Sequence, residues 1–310
     1  MTEQAVLDWL LAGDAAVRYQ ATRDLLGRDD VGLQALIATE GQGAALLAAR
    51  GADGHWGRGF YQPKWTSSHY TLLELKNLGV PPTTAAARET VALILGANRV
   101  ADGGLNPTAT VCHSDACVNG MALGYCAYFG GDADQLATIV DFLLSQRMPD
   151  GGFNCQFNRS GARHAALNST TCVVEGITAY ERAGYTHRLG ELLEARARSA
   201  ELLLAHRLFR SHRTGEVIRA EFLRLHYPTR WYYDVLRGLD ALREAGARDD
   251  QRMADALAVL TQRRRGDGRW VVNRAYPGRT HVQPEPAGKP SRWVTLLAKR
   301  VLRTYGAPAA

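Results

Sequence analysis

Gln146-Arg-Met-Pro-Asp-Gly-Gly-Phe153 decides how this chain is read, because its core returns along the sequence. Asp-Gly followed closely by an apolar or aromatic residue also stands at Ala52-Asp-Gly-His-Trp56, Ala101-Asp-Gly-Gly-Leu105 and Gly266-Asp-Gly-Arg-Trp270. A degenerate copy, Arg213-Thr-Gly-Glu-Val217, lies between the last two. The spacing is about 50 residues, the length of two helices and their connections. Recurrence at such a period marks stacked supersecondary units. Glycine permits the tight turn, and aspartate accepts N–H groups within it or at a nearby helix start. The loops therefore read as structural, with Trp56, Phe153 and Trp270 stapling neighbouring helices.

Working outward, each loop leads into an apolar helix: residues 66–78, 115–129, 169–183, 231–245 and 292–305. Four of these end beside glycine, as in Lys76-Asn-Leu-Gly79 and Glu181-Arg-Ala-Gly184, which is C-cap chemistry. A second, amphipathic helix follows at 84–95, 133–146, 189–206 and 249–264. Upstream segments at 6–11, 15–26 and 42–49 bring the set to about six inner and six outer helices. A helix apolar nearly all round needs cover on several sides, and closing the series into a ring supplies it. The expected fold is all-α: an α/α toroid, or (α/α)6 barrel, with inner and outer helices around a central cavity. The whole chain, 1–310, is expected to form one domain, with residues 1–45 as atypical closing helices. An open helical array is the structural alternative.

Composition sets outer limits. Of the 310 residues 46% are hydrophobic and 22% charged, proportions of a folded globular chain. The formal charge is +6, much of it from C-terminal arginines such as Arg263, Arg264 and Arg265. No nucleic-acid motif frames them, so they read as a solvated basic face rather than a nucleic-acid site. No apolar run approaches the roughly 18–20 residues of a membrane span, and the N-terminus lacks a signal-peptide pattern. A cytoplasmic location without stable membrane insertion is expected. Five cysteines, all between positions 112 and 172, argue against a disulfide framework. Phosphate-loop, dinucleotide, His-Glu-x-x-His and Gly-x-Ser-x-Gly motifs are absent, which removes support for kinase, dehydrogenase and common hydrolase chemistry.

The loop Gln146–Phe153 resembles the repeat of squalene and hopene cyclases, and also the loop repeats of protein prenyltransferase β subunits. The resemblance runs from about residue 45 to 305. It implies a toroid whose inner-helix N-termini line an apolar cavity holding an isoprenoid. The cyclases protonate their substrate with the middle aspartate of Asp-x-Asp-Asp. The corresponding stretch here is Cys112-His113-Ser114-Asp115, where Asp115 alone matches and Ser114 replaces the catalytic acid. The prenyltransferases use zinc held by Asp, Cys and His. Arg230-Trp-Tyr-Tyr-Asp234 resembles their histidine segment, with Asp234 in the histidine's place and no preceding Asp-x-Cys pair.

If the ring closes, the first turns of the inner helices gather His69, Cys112, His113, Asp115, Cys117, Glu175, Trp231, Tyr232 and Asp234 at one end. Asp115, His113, Asp234 and Glu175 are the candidate acids or bases, since burial among apolar residues raises a carboxyl pKa. Asp115 could instead cap its helix, and Asp234 could pair with Arg230 or Arg237. Cys112, His113, Asp115 and Cys117 are metal-ligand types, so a divalent metal such as zinc is a possible cofactor, though C-x4-C is no standard zinc spacing. Substrate contacts are expected from His69, Trp65, Cys117, Arg230, Trp231, Tyr232, Arg292 and Trp293. The tryptophans would offer aromatic faces to a cation or a flat ligand, and Arg230, Arg292 and Lys64 could hold a diphosphate. His226 and His281 lie in loops expected to cover the cavity mouth.

Three functions fit this pattern. The first is a hydrophobic-cavity enzyme, a cyclase or isomerase acting on an isoprenoid or similar apolar substrate by acid-initiated chemistry. The second is a non-catalytic toroid that binds an apolar ligand or a protein. The third is a metal-dependent enzyme of unfamiliar chemistry.

Overall fold

A computed structural model describes residues 2–106 and 113–306. The described residues form helices with three isolated bridges and no strand. In chain order the helices are α1 (Glu3–Leu11), α2 (Ala15–Leu26), α3 (Val31–Leu36), α4 (Gly41–Ala48), α5 (Ser68–Leu78), α6 (Ala85–Ala97) and α7 (Ala116–Tyr128). They continue as α8 (Ala133–Ser145), α9 (Phe157–Ser160), α10 (Leu167–Arg182), α11 (Leu189–Ala205), α12 (Val235–Glu244), α13 (Ala254–Arg263) and α14 (Arg292–Tyr305).

Six of these, α2, α5, α7, α10, α12 and α14, make the inner ring. Contacts pass from α5 to α7, α10, α12 and α14, and α14 closes the circle on α2. The last link, between α2 and α5, is made by Gln20 donating to the carbonyls of Asn77 and Leu78. Outside stand α1, α4, α6, α8, α11 and α13. Glu3 on α1 binds both Arg264 and Lys299, tying the first helix to the end of the last repeat. The fold is thus an α/α toroid.

Each Asp-Gly loop fastens an outer helix to an inner one by the same device. The N–H of the residue after the turn donates to a side chain of the next inner helix: Trp56 to Ser68 at 2.9 Å, Leu105 to Asn119 at 2.7 Å, Phe153 to Thr170 at 3.0 Å and Trp270 to Thr295 at 3.1 Å. Trp56 and Trp270 also send their indole N–H back ten residues, to the carbonyls of Leu46 and Leu260. Both tryptophans are fully buried. The turn aspartates accept backbone N–H groups, as Asp102 does from Gly104 and Asp267 from Arg269. Staple and turn are therefore structural, as the repeat implies.

The tightest inner contact is between α7 and α10, where no side chain stands between the backbones. A Cβ placed on Gly176 would lie 2.1 Å from the Gly120 carbonyl oxygen, so only glycine fits.

Two expectations need correction. The helix predicted at 231–245 begins only at Val235, because Asp234 caps it and leaves Trp231 and Tyr232 in the preceding loop. A disulfide does form, Cys117–Cys155, joining the first turn of α7 to the loop before α10. Cysteine number gave no sign of this single bridge, since Cys126 and Cys172 are simply buried core thiols.

Candidate functional site

The axis of the ring is hollow at one end. A well of about 410 Å³ is lined by residues from all six inner helices. They are Gln20 and Arg23 of α2, Lys76 and Asn77 of α5, Tyr128 of α7, Glu175 and Arg182 of α10, Asp240 and Glu244 of α12, and Arg300 of α14. These positions fall in the middle and later turns, so the well opens where the short inner-to-outer connections lie. A smaller chamber of about 100 Å³ shares Gln20, Asn77, Glu175, Asp240 and Arg300 with it and reaches inward to His226, Tyr227, Asp234 and Trp293.

The lining is charged, contrary to the apolar cavity expected from sequence. The later turns of these apolar inner helices also carry the well's acids and bases. Most are paired. Arg300 binds Asp24 at 3.0 Å and also Asp240, Arg243 binds Asp240 at 3.0 Å, and Arg182 reaches Glu244. Arg237 grips Glu175 with two bonds, 2.8 and 2.7 Å, and also donates to the Tyr232 carbonyl. Burial works against the Arg237 charge, but Glu175 more than offsets it and raises its pKa.

The opposite end, beneath the long loops, is closed by aromatic rings. Tyr232 stacks on Tyr276 with centroids 3.4 Å apart and on Trp231 at 4.1 Å. Trp65 meets Tyr70 edge-on at 4.8 Å, and Trp293 stacks on Tyr227 at 4.5 Å. Lys64 and Arg230 each lie 4.6 Å from the Trp65 ring centre. Arg230 holds a left-handed backbone (φ 55°) and is only 4% exposed. For a non-glycine residue that conformation is strained and needs support from its surroundings.

Within this end, several buried polar atoms have no hydrogen-bond partner among the described residues: Nε and Nη1 of Arg230, the Tyr227 hydroxyl, Trp231 Nε1 and His69 Nε2. Such atoms are costly to leave unpaired. Glu74 belongs with them. It lies on α5 one turn from Tyr70 and one turn from the lumen residue Asn77, and neither a hydrogen bond nor an ion pair engages it among the described residues. Burial pushes its carboxyl above the usual range, opposed by the Arg230 charge. Burial, with Glu74 next, likewise pushes the Tyr227 hydroxyl well up.

The sequence-predicted residues divide into those near this centre and those elsewhere. Trp65, His69, Arg230, Trp231 and Tyr232 come together, with His69 and Tyr232 linked to the rest through ring contacts. His69 is fully buried, bonds Tyr125 at 3.1 Å, and burial lowers its pKa to about 3. Trp293 joins through Tyr227, but Arg292 turns away to the Trp9 ring and carbonyl. It therefore cannot act with Lys64 and Arg230 as one anion clamp.

Asp234 is a capping residue. Its two oxygens accept the N–H groups of Arg237 at 2.9 Å and His226 at 3.0 Å, which consumes them in backbone order. The expected pairing with Arg230 or with the Arg237 guanidinium does not form, because that guanidinium is committed to Glu175. Glu175, in turn, is an ion-pair partner inside the ring. Asp115 occupies the N-cap position of α7 without accepting the cap bond, and His113 is exposed. Ser114 is locked to Asp102 by two bonds of 2.8 Å.

The candidate zinc ligands are not assembled among the described residues. Cys117 is bridged to Cys155, and no three His, Cys, Asp or Glu side chains among the described residues group as metal ligands. Cys112 lies outside the described residues. Of the loop histidines, His226 stacks on Tyr276 at 4.7 Å and His281 bonds the Thr66 carbonyl at 3.0 Å, so both help close the aromatic end. Glu74 and Tyr227 were missed. The criterion that singles out Glu175, a carboxylate inside an apolar inner helix, applies equally to Leu73-Glu-Leu75.

No family model and no curated protein sequence matches the chain. Among solved structures, a polysaccharide lyase is similar at TM-score 0.52 and 13% identity, over 96% of each chain. This likeness concerns the fold alone. The type II terpene cyclase MstE from Scytonema matches at TM-score 0.37 and 16% identity, over 88% of this chain and 96% of its own, a score too low to carry an argument. No described helix is long and apolar enough to cross a membrane.

Proposed function

We propose that the chain is an acid–base enzyme of the α/α-toroid type acting on an isoprenoid-like amphiphile with an anionic head. The observation that carries this reading is the unpartnered Glu74 carboxyl beside the unpartnered Tyr227 and Arg230 groups, beneath an aromatic roof. A carboxyl raised by burial keeps its proton nearer neutral pH and can deliver it to a double bond. The carboxylate left behind is steadied by Arg230. Trp65, Tyr70, Trp231 and Tyr232 supply ring faces against which positive charge on the substrate is tolerated. An anionic head would meet Arg230, whose unfavourable burial it relieves, and the exposed Lys64. Tyr227 is placed to donate to that head or to the Glu74 carboxylate.

Glu74 thus takes the role that sequence pattern offered to Asp115, His113, Asp234 or Glu175. The test is incubation with dimethylallyl, geranyl and farnesyl diphosphates in D2O, read by mass spectrometry. Deuterium incorporation or product that disappears in Glu74→Gln supports the enzyme. Tight binding of these diphosphates without exchange or product would favour the non-catalytic ligand-binding toroid instead.

A further inference from the structure

We propose that the well at the short-connection end is a separate binding site for a small oxyanion, carboxylate or phosphate, held by Lys76. The inference starts from how the lining charges are spent. Arg23 is bound to Asp24, Arg182 to Glu244, and Arg300 to Asp24 and Asp240. Lys76 is the lining cation without an ion pair or hydrogen bond among the described residues, although it stands inside the ring. Glu175 and Glu244 act on it only through space, and each already holds an arginine.

Residue choice points the same way. The sequence has 37 basic residues, and its lysines are confined to Lys64, Lys76, Lys289 and Lys299. Every paired cation in the well is arginine, whose planar fork suits a fixed carboxylate partner. Lysine at the one unpaired position is a compact, mobile point charge, suited to an exchangeable anion. Desolvation holds its ammonium below the usual lysine range, a cost that an incoming anion would remove. Asn77 lines the same space and its side-chain amide can donate to the remaining oxygens, whereas the Tyr128 hydroxyl is already given to the Val80 carbonyl at 2.9 Å. The site is independent of Glu74 chemistry.

The experiment uses the whole chain and its four lysines. Acetylation by an N-hydroxysuccinimide ester is followed at each lysine by mass spectrometry, alone and with inorganic phosphate or succinate. Either anion is expected to slow Lys76 at least about fivefold while leaving the exposed Lys289 unchanged. The anion that protects at lower concentration identifies phosphate or carboxylate as the natural chemistry. Equilibrium dialysis should show about a tenfold or greater loss of that anion in Lys76→Met, the scale of one charge-assisted contact, and no loss in Lys289→Met. Protection that survives in Glu74→Gln separates this site from the proposed reaction centre. If neither anion protects Lys76, or Lys76→Met binds as well as the parent, the proposal is wrong.

Discussion

The Arg237 guanidinium meets the Glu175 carboxylate in a two-bonded pair that spans from α12 to α10 inside the ring. The arginine side chain is 6% exposed and the glutamate 29%, because one edge of the pair faces the lumen. Removing one partner leaves a poorly solvated charge behind, whereas removing both does not.

Arg237→Leu is therefore expected to cost about 2–3 kcal/mol, somewhat less than for a fully enclosed pair. Adding Glu175→Leu should recover most of that loss. Urea unfolding of the three variants checks both statements, and equal losses in single and double variants would contradict them.

Thr295→Val tests the repeat device. It keeps the side chain's shape but strips the acceptor from the buried Trp270 N–H, bonded at 3.1 Å. A loss of about 1–3 kcal/mol is expected, with a similar loss for Thr170→Val beneath Phe153. Losses below a few tenths in both would remove the claim that these contacts fasten outer to inner helices.

The repeat was legible because its signals are local. Asp-Gly turns, a following Trp, Phe or Leu, and glycine after an apolar helix each act within a few residues. The order of inner and outer helices and closure by the N-terminal segment followed from them. The lumen was not legible. An inner helix packs on neighbours at both flanks, so hydrophobic period does not separate its axial face from the others. Glu74 and Lys76 sit within Leu72-Leu-Glu-Leu-Lys76 and are hidden by that. Partner choice was also beyond reach, since Arg237 meets a residue 62 positions away while Asp234, three residues before it, is taken up by capping.

His69 should shape acid stability. Its folded pKa of about 3 lies below the ordinary 6.5, so between those values the unfolded chain binds the extra proton. Stability then rises with pH across this window and is lost as pH falls through it, by up to about 1.4 kcal/mol per pH unit. His69→Gln should flatten that slope in denaturant titrations run from pH 7 to 3. An unchanged slope would mean that His69 is protonated as readily folded as unfolded.

The central claim, that Glu74 is a proton-donating acid under the influence of the Arg230 charge, is tested most directly by titrating it. Carboxyl carbon NMR of labelled protein, with Glu74→Gln to assign the signal, would follow its protonation with and without pyrophosphate. The account predicts a midpoint above the ordinary 4.5, moving higher when pyrophosphate neutralises Arg230. A midpoint at or below 4.5 that pyrophosphate leaves in place would contradict it.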